Sequence, residues 1–169
     1  MAHWVVRLLK HRMLDEGDAQ RMLGKDALAR IEAHVAASEK RHSGEIRVVV
    51  EAGLPLSYLR RGATPRDRAI ALFGKLGVWD TERNNGVLIY LLLAEHAIEI
   101  VADRGLNRVV PAAEWAQIAE SMKNAFREGD FEGGLLRAVD TVDALLVRHF
   151  VARSGESDVN ELPDAPLLR

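Results

Sequence analysis

The sequence predicts an α/β fold: a three-layer α/β/α sandwich with a small mixed sheet, in the order α-α-β-α-β-β-α-α. Three observations carry this. Glu45–Ala52 is a β-branched run of strand length, bounded by Ser43-Gly44 before it and Gly53-Leu54-Pro55 after it. Val87–Leu93 is apolar on both faces, the pattern of a strand covered on both sides. The stretches around these strands switch to apolar spacings of three and four, the period of amphipathic helices.

Residues 3–14 read as a short amphipathic helix, with Trp4, Val5, Leu8, Leu9 and Met13 on one side. Arg7, Lys10 and Arg12, with His3 and His11, make the stretch basic, and no acid precedes Asp15. Two readings stand: a helix docked on the domain, or a weak peripheral membrane contact. Docking is favoured, because the segment is short for interfacial anchoring. Asp15–Asp18 reads as a polar break. A second helix is expected from Gly24 or Lys25 to about Arg41, with Leu28, Ile31 and Val35 as its stripe. These boundaries divide the chain into an extension over 1–23, a domain over 24–150 and a tail over 151–169.

After the first strand, Thr64 and Pro65 mark a helix start, as cap and first-turn residue. Ala69, Leu72, Phe73 and Leu76 are its buried side, and Gly77 ends it. A turn cluster over 80–86 leads into the second strand. Ala94-Glu95-His96 connects this to the third strand, Ala97–Ala102, so the pair reads as an antiparallel hairpin. The first and second strands are joined through a helix and should run parallel. Helices over 112–127 and 134–150 follow. The tail loses periodicity, holds Pro163 and Pro166, and is expected to be partly ordered at most.

Composition excludes whole classes of function. The 169 residues include no cysteine, which removes disulfide frameworks, thiol nucleophiles and thiolate metal sites. A net charge of −2 gives no basic excess of the kind that marks a nucleic-acid binder. The longest apolar run falls far short of the roughly 20 residues of a membrane span. With no secretory pattern at the start, a cytoplasmic location is expected. Nucleophile-elbow, P-loop, zincin, EF-hand and dinucleotide-binding patterns are all absent. The six histidines are scattered, and none has a near partner at metal-ligand spacing.

The carboxylates carry more. A hairpin sets its open ends side by side, so Asn84 and Asn85 enter where Asp103 leaves, with Asp80 in the same loop. Oxygen atoms of Asp80, Asn84, Asn85 and Asp103 could converge on Ca²⁺ or Mg²⁺. The plainer reading is that Asp and Asn are ordinary turn and cap residues there. The rival edge lies beyond the carboxyl ends of the parallel strands, where open α/β sheets usually bind ligands. There Glu51 ends the first strand, and the helix after Asp103 would deliver Asp130 and Glu132. The alternative for Asp130 is a helix cap. The Leu54–Gly62 loop sets Leu54, Leu56, Tyr58 and Leu59 beside Arg60 and Arg61. It is either a surface for a protein partner or a loop folded back on the core.

From about Ser43 to Phe150 the chain resembles the TPM domain family, which includes a thylakoid-lumen protein of photosystem II repair and many bacterial proteins. The segments that carry the likeness, in order, are Ser43–Val50, Ala69–Phe73, Asn85–Tyr90, Ile98–Gly105 and Phe126–Phe131, with Gly134-Leu135 after them. Asn160–Asp164 resembles the tail of cytoplasmic members. The resemblance implies an α/β/α sandwich, divalent-metal binding and, for some members, acid phosphatase activity. The chain departs from the family at Ala102-Asp103-Arg104-Gly105, where many relatives carry Gly-x-Gly. The change adds an acid and a base at a loop where the family is thought to bind ligands. Many relatives also carry a signal peptide and a membrane anchor. Neither is read here, so their envelope roles are not expected to transfer. The function expected is a metal-binding interaction or assembly-assisting module; the alternative that the resemblance implies is a metal-assisted phosphatase acting on phosphate monoesters, with Arg83 or Arg104 holding the phosphate.

Overall fold

Strand β1, Ile46–Glu51, is buried along its whole length because both of its faces are covered. Ile46, Val48 and Val50 enter one apolar cluster and Val49 enters a second, as the two-residue period of a strand requires. Strand β2, Val87–Leu92, divides in the same way. A computed structural model describes residues 2–152 and 160–169, with the side chains of Ala2 and His3 excepted. β1 and β2 pair in parallel from Ile46 opposite Val87 to Glu51 opposite Leu92. β2 pairs antiparallel with β3, Ala97–Ala102, through a 3-10 turn at Leu93–Glu95. The hairpin and the parallel pair are therefore as expected.

Helix α1 spans Ala2–Met13, α2 Glu16–Leu23 and α3 Lys25–Glu39. After β1 come α4, Leu56–Arg60, and α5, Pro65–Lys75. After β3 come α6, Arg104–Asn107, α7, Ala112–Arg127, and α8, Phe131–Phe150. Helices α3, α7 and α8 cover the face of Ile46, Ile89 and Ile100. Helices α4 and α5 cover the face of Val49, Tyr90 and Val101. The protein is thus a three-layer α/β/α sandwich, and among the described residues no helix is long and apolar enough to cross a membrane.

Several short elements escaped the sequence reading. Asp15 is not a break but the N-cap of α2: its carboxylate accepts the Asp18 N–H, and Asp18 caps the Asp15 N–H in return. Ala19 of α2 is fully buried. The Leu54–Gly62 loop contains α4, which buries Leu59 and leaves Leu56 exposed, and Leu54 just before it is also buried. α6 is a single turn capped by Asp103. In the expected tail, residues 153–159 lie outside the described residues. Beyond them Leu167–Leu168 forms β4, which pairs in parallel with Val49 and Val50 of β1. The sheet order is β3-β2-β1-β4.

Where helix ends were legible, capping explains them. Thr64 and Asp67 form a reciprocal capping box, with Pro65 in the first turn of α5. Asp130 caps α8 by accepting the Gly133 N–H at 2.9 Å.

Candidate functional site

The open end of the β2–β3 hairpin is closed by backbone. Asp103 donates its N–H to Gly86 O, and Gly105 donates to Asn84 O, each at 2.9 Å. Asn84 turns the chain with a φ of +53°, in the left-handed region that Asn tolerates. Gly86 is required there, since a Cβ would fall 1.9 Å from Val78 O. These contacts hold Asn85 and Asp103 on adjacent strand ends.

Both side chains are buried, and each leaves one oxygen without a partner among the described residues. Asn85 is fully buried; its Nδ2 donates to Ser43 O at 2.9 Å, and its N–H donates to Thr81 Oγ1 at 3.0 Å. Its Oδ1 accepts no hydrogen bond from the described residues. Asp103 Oδ1 accepts the Arg104 N–H at 2.6 Å, while the buried Oδ2 accepts no hydrogen bond from the described residues. A buried acceptor without a hydrogen bond is costly and calls for an explanation. A carboxylate oxygen and an amide oxygen are each of the type that a hard divalent cation takes.

The other expected ligands sit differently. Asp80 is exposed on the turn after α5. Asn84 also exposes its side chain and serves the loop through its carbonyl. Arg83 is half-buried, with Nη1 3.3 Å from Ser43 Oγ. Arg104 is exposed and forms no ion pair among the described residues. No group of three or more His, Cys, Asp or Glu among the described residues is placed to hold a metal, so a ligand set would need Asn, hydroxyl or carbonyl oxygens.

The rival edge does not form a cluster. Glu51 points into the α4–α5 layer, where Arg68 Nε meets Oε2 at 2.9 Å, Arg68 Nη2 meets Oε1 at 2.5 Å and the Tyr90 hydroxyl donates at 2.7 Å. Burial works against the Arg68 charge, but the hydrogen bonds to Glu51 outweigh it and raise its pKa. Burial, then the Glu51 charge, holds the Tyr90 phenol above its ordinary pKa. Asp130 and Glu132 belong to the opposite layer. Asp130 pairs with Arg137 at 3.0 Å, and Glu132 binds Arg30 through both oxygens at 2.5 and 2.8 Å. These arginines lower both carboxyl pKa values.

The sequence reading missed what closes the hairpin end from outside. Glu45 accepts the N–H groups of Glu161 and Leu162, and the Glu161 carboxylate accepts the Glu82 N–H at 3.3 Å. The tail therefore brings an acid to the loop that holds Asn85. A Glu39 carboxyl oxygen accepts the Ile46 N–H at 3.0 Å, and burial pushes the group's pKa up to about 9. On the α3–α8 side, His42 is fully buried with Nε2 3.4 Å from Asp143 Oδ1. Arg41 reaches Asp143 at 2.9 Å. Burial lowers the His42 pKa to about 4 and raises that of Asp143. No sequence signal paired these residues: Arg41 and His42 lie just beyond α3, and Asp143 lies on α8.

The comparisons agree with this architecture. The sequence profile of the TPM domain matches residues 17–145. The BA42 protein of the psychrophilic bacterium Bizionia argentinensis, solved by NMR, is 28% identical with a TM-score of 0.74. The alignment covers 86% of this chain and 94% of that one. The N-terminal domain of a P. gingivalis protein, also solved by NMR, shares the fold at 22% identity and a TM-score of 0.63, over 78% of this chain and 83% of that one. No curated protein matches. The chain belongs to the TPM domain family.

Proposed function

We propose that this TPM domain holds a divalent hard cation, Ca²⁺ or Mg²⁺, at the open end of the β2–β3 hairpin, and that it works as an interaction or assembly-assisting module. One observation carries the reading: Asn85 Oδ1 and Asp103 Oδ2, on residues at the same open end of the hairpin, are buried and have no hydrogen-bond partner among the described residues. Asn85 and Asp103 would hold the ion. Asp80, exposed in the same loop, stands ready to add an outer oxygen. A bound cation would tie the loop of 80–86 to the start of α6 and stiffen one end of the sheet.

The second reading is hydrolysis of phosphate monoesters. It is favoured by Arg104, exposed beside Asp103 and free of any ion pair among the described residues, which suits it to bind phosphate oxygens. A divalent cation in such a reaction polarises the phosphoryl oxygen and activates water.

Melting curves of the EDTA-treated chain with Ca²⁺, Mg²⁺, Mn²⁺ or no metal test the site. At about 100 times its dissociation constant the ion adds about 2.7 kcal/mol, a shift of several degrees. Asp103→Asn keeps an oxygen for the Arg104 N–H and should abolish the shift without lowering the metal-free melting temperature. No shift with any metal would remove the cation from both readings. Turnover of a phosphate monoester that needs metal and disappears in Asp103→Asn would favour the second.

A further inference from the structure

Helix α1 is fixed to the domain by one side and shows an apolar stripe on the other. On the docked side His11 is fully enclosed: its Nδ1 accepts the Leu54 N–H at 2.9 Å, and its Nε2 meets Glu95 Oε1 at 2.8 Å. Arg7 reaches the same carboxylate and donates to Ala63 O, both at 2.7 Å. The backbones approach so closely at Gly53 that a Cβ there would fall 2.4 Å from His11 O. With that side fixed, Val5, Leu9 and Met13, one turn apart, face outward with Val6 beside them. Their exposures are 46, 55, 78 and 54%.

Charge identifies what this stripe fits. Lys10 and Arg12 flank it, exposed and without an ion pair among the described residues. No acid occurs in residues 2–14. The segment under α1, residues 53–66, carries Arg60, Arg61 and Arg66 and no acid either. Glu95, an acid docked against α1, is taken by Arg7 and His11. A second copy packed stripe to stripe would set cations against cations.

We propose that α1 is an interfacial helix that seats the domain on an anionic phospholipid surface. The apolar stripe enters the boundary between headgroups and acyl chains, and Lys10 and Arg12 meet lipid phosphates at its margins. A free helix of this length would have to fold as it bound. Here the contacts of Arg7 and His11 hold it formed beforehand, which removes that ordering cost. The proposal is independent of the cation site.

The test is co-sedimentation of the full chain with vesicles of phosphatidylcholine alone, or with about 30% phosphatidylglycerol, at about 0.1 M and 0.5 M salt. The expected result is pelleting with the anionic vesicles only, weakened by salt. Lys10→Gln and Arg12→Gln should each weaken binding about fivefold. Leu9→Glu should abolish it at an unchanged melting temperature, since Leu9 is exposed. Three outcomes overturn the proposal: no pelleting with anionic vesicles, pelleting that Leu9→Glu leaves intact, or a dimer in light scattering that Leu9→Glu dissolves while vesicles capture nothing.

Discussion

Glu51 and Arg68 form a buried ion pair with two close contacts, Nη2 to Oε1 at 2.5 Å and Nε to Oε2 at 2.9 Å. The pair occupies the carboxyl end of β1, where open α/β sheets usually place a ligand. Its charges and the Tyr90 hydroxyl already satisfy one another, so this edge is built for stability. Arg68→Met should cost about 3–5 kcal/mol by stranding the Glu51 charge. Adding Glu51→Gln should recover much of that loss. Urea midpoints measure both, and the response to metal should remain in the double variant.

Asn85 gives the complementary prediction at the other end of the sheet. Asn85→Asp removes the donor that serves Ser43 O and adds a second carboxylate at the hairpin end that holds Asp103. The metal-free protein should lose about 1–3 kcal/mol. Added Ca²⁺ should then produce a larger rise in melting temperature than in the parent chain, since two carboxylates bind the ion better than one. A variant that is destabilised and does not respond to Ca²⁺ would argue against the cation.

Glu39 and His42 make stability depend on pH in opposite senses. With a pKa of about 9, folded Glu39 keeps a proton that the unfolded chain releases above its ordinary value of 4.5. Stability from this group therefore falls as pH rises, by up to about 1.4 kcal/mol per unit. Folded His42, near 4 against 6.5, refuses a proton that the unfolded chain accepts, so stability falls as pH drops through that window. Between 4.5 and 6.5 the two slopes oppose; above 6.5 the Glu39 slope acts without the His42 slope. Glu39→Gln keeps an oxygen for the Ile46 N–H. It should flatten the loss above 6.5 and expose the His42 slope below it. Urea midpoints at about pH 5, 7 and 9 check the signs.

What was legible follows from range along the chain. Strands β1, β2 and β3 stood out because each is six residues of nearly continuous apolar character with turn residues at its ends. The hairpin alone set Asn85 beside Asp103, since a tight connection fixes the register of its strands. Helix α2 was hidden because its capping box uses Asp18 rather than Glu or Gln, and Gly17 weakens its first turn. Strand β4 is two residues long, too short for any period to show. Glu161 reaches the loop of Asn85 from 79 residues beyond Glu82, a pairing that no local pattern encodes.

The C-terminal segment gives the last prediction. Arg47 donates Nη1 to Pro163 O and Ala165 O, both at 2.5 Å, and burial lowers its pKa. Leu162 is buried beside it, and β4 adds two strand pairs. Because so short a strand holds little by itself, the arginine should be the main latch. Arg47→Met strands two carbonyls and should cost about 1–3 kcal/mol. It should also speed hydrogen exchange at Ala52 and Arg169, whose N–H groups donate to Arg169 O and Val50 O. The Glu82 N–H should lose its protection in step, since it donates to the Glu161 carboxylate. If Ala52 exchanges faster while Glu82 does not, the tail has two independent attachments, and the segment beside the hairpin loop is held by Glu45 rather than by Arg47.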